Sequence, residues 1–100
     1  MKKSIQSLFF TLVSAGLLST PALAVDKPAK AQTCVGCHGA KGKSVVPTYP
    51  KLAGQHAAYL EKSLKDFREG HRKNPTMAPF AQGLTDEEIK ALAAYYAAQS

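Results

Sequence analysis

The chain has 100 residues, 45% of them hydrophobic, with 13 Lys and Arg against 7 Asp and Glu, for a formal charge of +6 at neutral pH. This length allows at most one small domain. The 2 cysteines exclude a disulfide framework, because Cys34 and Cys37 have only two residues between them and would close too small a loop to staple a fold.

The first 24 residues read as a secretory signal peptide. Lys2 and Lys3 make a positive start, Leu8 to Leu18 is an apolar run, and Pro21 precedes Ala22-Leu23-Ala24, which puts small residues at the −3 and −1 positions of a cleavage site. The apolar run falls well short of the roughly 20 residues that span a bilayer, so cleavage after Ala24 is expected rather than an uncleaved anchor. Of the 100 residues, removing 24 leaves 76, Val25 to Ser100, close to the size at which a lone hydrophobic core becomes insufficient. Loss of Lys2 and Lys3 leaves 11 basic residues against the same 7 acidic ones, a formal +4. Charges of both signs are interspersed, and export across the inner membrane to the periplasm removes the chain from nucleic acid, so nucleic-acid binding is not expected.

Val25 to Ala29 is a short lead-in, and Pro28 suits the first turn of a helix because its missing N–H is not needed there. A short helix is expected through Ala31, Cys34 and Cys37, ending near Gly39. Ala40 to Gly54 (AKGKSVVPTYPKLAG) holds two glycines and two prolines and reads as an extended loop. Gln55 to Glu69 carries Leu60, Leu64 and Phe67 at i, i+4, i+7, which predicts an amphipathic helix stopped by Gly70. Residues 71 to 84 (HRKNPTMAPFAQGL) read as a second loop, held open by Pro75 and Pro79. Thr85 then starts the last helix as N-cap, with Asp86 and Glu87 in the first turn and Glu88 completing a capping box; Ile89, Leu92, Ala93 and Tyr96 share one face. With no strand pattern and no repeat, the expected fold is small and all-α, three helices joined by two long loops. Loops of about 14 or 15 residues in so small a domain wrap something or carry function, which points to a ligand larger than a metal ion.

The stretch TCVGCHG, Thr33 to Gly39, can hold zinc, form a redox disulfide or anchor a haem. A structural zinc site needs a second close pair of ligands, and His56 and His71 lie 15 residues apart. A thioredoxin-like dithiol needs a strand before the motif, and none is predicted. Haem attachment needs two thiols that add to the vinyl groups on one porphyrin edge and an imidazole that reaches the iron. Cys34 and Cys37 are i, i+3 neighbours on one helix face with His38 next in sequence, which suits this chemistry.

A haem that only transfers electrons also needs a sixth ligand. Met1 leaves with the signal peptide, so Met77 is the lone thioether of the remaining chain. Methionine is often core filler. Flanked by Pro75 and Pro79 in a loop, however, Met77 reads better as a metal ligand.

The order Cys34-Val-Gly-Cys37-His38-Gly39, Pro50-Lys-Leu-Ala-Gly54-Gln55, Tyr59-Leu60 with Leu64, Phe67, Gly70 and Arg72, then Met77, and finally Leu84-Thr-Asp with Ile89, Leu92, Tyr95 and Tyr96, resembles the class I c-type cytochromes. The resemblance is closest to small single-haem cytochromes c553 and the domains of cytochrome c4. It implies an all-α cytochrome c fold over residues 25–100 with one covalent haem c, thioether-linked at Cys34 and Cys37, and His38 and Met77 as the axial pair. It also implies that the Pro50 carbonyl accepts a hydrogen bond from the His38 ring and that Leu52, Tyr59, Phe67 and Phe80 pack on the haem, with Leu60, Leu64, Leu84, Leu92 and Tyr96 around it. Many relatives carry a glycine where the first helix crosses the last; here Pro28, Ala29 and Ala31 occupy that region. His56 and His71 are expected at the surface, with His71 a minor candidate for a substitute iron ligand.

The expected function is a soluble periplasmic one-electron carrier between respiratory-chain proteins, a monomer without a membrane span and without enzymatic chemistry of its own. The alternative is a haem c subunit bound within a periplasmic oxidoreductase complex. A gas sensor or peroxidase would require Met77 to be labile. Lys41, Lys43, Lys51 and Lys73 lie on the loops flanking the motif and suit either docking to acidic redox partners, a donor cytochrome or dehydrogenase and an acceptor oxidase or reductase, or plain solubility.

Overall fold

The computed structural model describes residues 25–100; the expected signal peptide, 1–24, lies outside the described residues. Pro28, at φ −63°, leads into a 3-10 turn over Ala29–Thr33. The chain then tightens at Cys34, whose N–H donates to the Ala31 carbonyl, before the single turn α1, Val35–His38, closes with the His38 N–H on the Cys34 carbonyl. The first helix is thus two short pieces that meet at the first cysteine.

Gly39 ends α1 at φ +80°, where a Cβ would lie 2.4 Å from the Lys43 carbonyl oxygen. A second 3-10 turn, Ala40–Gly42, follows, so the loop before Gly54 is not extended throughout. The Gly42 carbonyl accepts from the N–H groups of Leu52 (2.9 Å) and Ala53 (3.2 Å), which closes the loop on itself and sets where Pro50 sits.

Helix α2 spans Ala57–Glu69, starting two residues later than predicted because His56 is extended (φ −62°, ψ 129°). Its apolar stripe faces inward: Leu60 and Phe67 are buried and Leu64 packs against the core. Gly70, left-handed at φ +81°, stops it.

The segment expected to be a second loop contains a helix, α3, Met77–Gln82. Two local features explain it. The Asn74 side chain accepts hydrogen bonds from the N–H groups of Thr76 and Met77. Pro79 falls in the first turn, where the N–H groups have no intrahelical acceptor and its own is not missed. The prolines that suggest an open loop therefore stand where a helix tolerates them.

Helix α4 spans Asp86–Ala97 with the predicted capping box: the Glu88 N–H donates to Thr85 Oγ1 (3.1 Å) and the Thr85 N–H to Glu88 Oε1 (3.0 Å). It buries Ile89, Leu92, Ala93, Tyr95 and Tyr96 against α2 and against the N-terminal 3-10 turn. Fully buried Ala31 supplies the small residue at that crossing, while Ala29 stays exposed. Arg68 ties the end of α2 to the start of α4, donating to the Leu84 carbonyl (3.1 Å) and pairing with Asp86 (2.7 Å). Among the described residues there is no strand.

The start of α4 makes stability acid-sensitive. The Arg68 guanidinium holds the Asp86 carboxyl below the usual carboxylate range, and the hydrogen bond from the Thr85 backbone does the same for Glu88. Groups whose folded-state pKa is depressed add stability above their ordinary pKa and lose it as pH falls through the folded value. Thermal melts should therefore show a falling midpoint in the carboxylate range, flattened in an Asp86→Asn, Glu88→Gln double variant. An identical acid profile in that variant would show that these two groups contribute nothing.

Candidate functional site

Cys34 immediately precedes α1, and Cys37 and His38 lie in its last turn, so one helical turn presents both thiols and the imidazole. The cysteines are unpaired and partly buried, and His38 is only 7% exposed. Its Nδ1 lies 2.8 Å from the Pro50 carbonyl oxygen. A carbonyl only accepts, so Nδ1 donates to it, which in the neutral ring leaves the Nε2 lone pair for a metal. The Gly42 clasp on Leu52 and Ala53 is what brings Pro50 across to this ring.

Both thiols, His38 and Met77 line one cavity of about 400 Å³. Pro50, Leu52, Leu60, Leu64, Phe67, Phe80, Leu92, Ala93 and Tyr96 supply a mainly apolar wall, with Thr33, Thr48, Tyr49, Arg72, Asn74 and Thr76 completing it. A large apolar group seated there would cover this wall; a single metal ion would not. The size also falls within the roughly 300–1,000 Å³ of sites for organic ligands. Two thiols, an imidazole with its outer nitrogen locked, a thioether and a broad apolar wall together fit a covalently attached haem.

The residues expected at the cofactor come together on this cavity except for two, Tyr59 and Leu84. Tyr59 does not line the cavity; it is half exposed on α2, beside Ser63 and Arg72, which hold its hydroxyl below the usual phenol range. Leu84 is buried in the core but likewise off the cavity wall. His56 precedes α2 and His71 follows it; both are exposed and neither reaches the cavity. Met77 is the first residue of α3 rather than part of a loop. Tyr96 packs against the core and lines the cavity as well, its buried hydroxyl without a hydrogen-bond partner among the described residues and its pKa pushed up by burial and by neighbouring Cys34.

Sequence reasoning missed Tyr49, Arg72 and Asn74 on the wall. Arg72 lies over the Phe67 ring at 4.6 Å. Asn74 had a readable signal, since an Asn-Pro step favours turn initiation.

The family model for Cytochrome c matches residues 27–98. The chain belongs to the cytochrome c family. It is 52% identical over 73 residues to cytochrome c-554(548) of Halomonas halodenitrificans, covering 70% of this chain and 88% of that protein. Cytochrome c4 of Pseudomonas aeruginosa is 40% identical over 99 residues, or 99% of this chain but 49% of its own length. Among solved structures, reduced recombinant cytochrome c4 from Pseudomonas stutzeri superposes with a TM-score of 0.61 at 42% identity, over 67% of this chain and 38% of that one. The chain spans half or less of these cytochrome c4 relatives. Membership of the family makes this a haem c protein with covalently attached cofactor and an electron-transfer role, which gives the apolar cavity its occupant.

Proposed function

We propose that the protein is a periplasmic carrier of single electrons, with thioether bonds at Cys34 and Cys37, His38 and Met77 as the axial pair, and no substrate chemistry of its own. The observation that carries this reading is the convergence of both thiols, the locked His38 imidazole and Met77 on one apolar cavity. Haem iron held by His38 and Met77 would supply reversible one-electron transfer.

The chain's own residues tune that property. The Pro50 carbonyl, by accepting from Nδ1, fixes the tautomer of His38 and strengthens Nε2 as a donor. The soft thioether of Met77 favours the reduced state, and the wall formed by Leu52, Leu60, Leu64, Phe67 and Leu92 keeps water out and disfavours added positive charge. Lys41, Lys43, Lys51 and Lys73 are all exposed, and none forms an ion pair with a described residue. They are free to steer an acidic redox partner toward the half-exposed Tyr49 and Phe80.

Among the described residues no helix is long and apolar enough to cross a membrane. The signal peptide supports export, and a free carrier should leave the periplasmic fraction as a small monomer carrying one haem. Native size-exclusion chromatography followed by a pyridine haemochrome assay tests this. Coelution of all the haem with a larger oxidoreductase would instead establish a bound subunit, and a spectrum without thioether-linked haem would overturn the site.

A further inference from the structure

We propose that Asn74 is the residue that holds Met77 on the iron, and so keeps the sixth position closed to small ligands; this rests on the axial pairing proposed above. Helix α3 is short and starts with the ligand itself. Thr76, which directly precedes it, makes no side-chain cap. The cap comes from further back: Asn74 Oδ1 accepts from the N–H groups of Thr76 (2.9 Å) and Met77 (3.0 Å), while the Asn74 carbonyl accepts from Ala78 (2.9 Å).

Among the described residues no other side chain hydrogen-bonds to the backbone of residues 75–82. No ion pair reaches α3, and of its six residues only Ala81 is buried. The segment ahead of Asn74 is anchored separately to α2: the Arg72 N–H donates to the Asp66 carbonyl (3.1 Å), and its guanidinium donates to Ser63 (3.3 Å) and covers Phe67. Asn74 therefore joins a stem fixed on α2 to a ligand helix whose N-terminal backbone no other described side chain holds. Its carboxamide fixes the direction in which the Met77 side chain leaves the backbone, at the point where a small rotation would withdraw the sulfur. It is a positioning residue, acting through Met77.

The test uses holoprotein and two readouts, the weak near-infrared methionine-to-iron band of the ferric state and titration with imidazole. Asn74→Ala removes one acceptor shared by two N–H donors. It should keep the haem, weaken the band and bind imidazole roughly tenfold more tightly, equivalent to about 1.4 kcal/mol. Asn74→Asp, whose carboxylate accepts from the same two N–H groups, should restore both readouts. A band and imidazole affinity in Asn74→Ala that match wild type would overturn the role of Asn74 while leaving the axial pairing intact. A wild-type spectrum without the band would overturn the pairing, and this role with it. Should alanine prevent folding, Asn74→Ser and Asn74→Asp make the same comparison: serine, with a shorter acceptor, must bind imidazole more tightly than aspartate, and equal affinities sink the proposal.

Discussion

Replacing Met77 with alanine is expected to leave the haem attached and the fold intact, to abolish the near-infrared methionine-to-iron band, and to lower the reduction potential. Attachment should persist because the proposed thioether bonds depend on Cys34 and Cys37, carried by a different element. The fold persists because Met77 is only partly buried at the first position of α3, where alanine is a good helix former. The potential falls because a soft sulfur that favours ferrous iron gives way to water or another hard ligand that favours ferric iron. A drop on the order of 0.1 V is a modest part of the ~0.8 V that axial ligands span. Spectroelectrochemistry of the variant checks both effects, and an unchanged potential with the band retained would show that the sixth ligand lies elsewhere. Carbon monoxide should bind the reduced variant but not the reduced wild type.

Gly42→Ala should strongly destabilise the loop that supports His38. Gly42 sits at φ +74°, and a Cβ there would lie 2.8 Å from Tyr96 Cδ1, 2.9 Å from the Ala53 nitrogen and 3.0 Å from Leu52 Cβ. The left-handed backbone costs an L-residue about 1–2 kcal/mol, and forcing a methyl against packed neighbours adds about 1–3 kcal/mol. For a domain of this size the midpoint of thermal unfolding should fall by roughly 10–40 °C. Gly70→Ala provides the control, because Gly70 is also left-handed (φ +81°) but has nothing within 4 Å of a Cβ. It should lose only the backbone part. Equal losses in the two variants would show that contact with Tyr96 and the Leu52–Ala53 backbone costs nothing. Gly42→Ala should also shift the potential, since the Gly42 carbonyl anchors the strap that delivers Pro50 to the His38 ring.

Legibility varied along the chain for identifiable reasons. The capping box at Thr85 and the stop at Gly70 are local, set by side chains and backbone within a few residues, and both were readable. The helix Met77–Gln82 was not, because Pro75 and Pro79 signal a loop unless the register of the helix start is known. That register comes from the Asn74 carboxamide. Tyr59 was not placed by spacing alone either: it shares α2 with Leu60 and Phe67, but its position on the helix turns it toward solvent and Arg72.

By itself the sequence determined the chemistry. Two thiols at i, i+3 with a histidine next to the second, a single thioether besides Met1, and a chain near the lower size limit for a self-sufficient core select a covalent haem, because each is a statement about which groups exist and how far apart they lie along the chain. Only the tertiary structure decided which groups meet. Met77 and His38 line one cavity although 39 positions separate them, since α3 and α1 are brought together by a core in which α4 packs on both α2 and the N-terminal turn. The same packing brings Pro50 to the imidazole, puts Ala31 rather than a glycine at the crossing, and leaves Tyr59 outside. Long-range contacts of this kind depend on how whole faces pack, a property of all the elements together that no local spacing encodes.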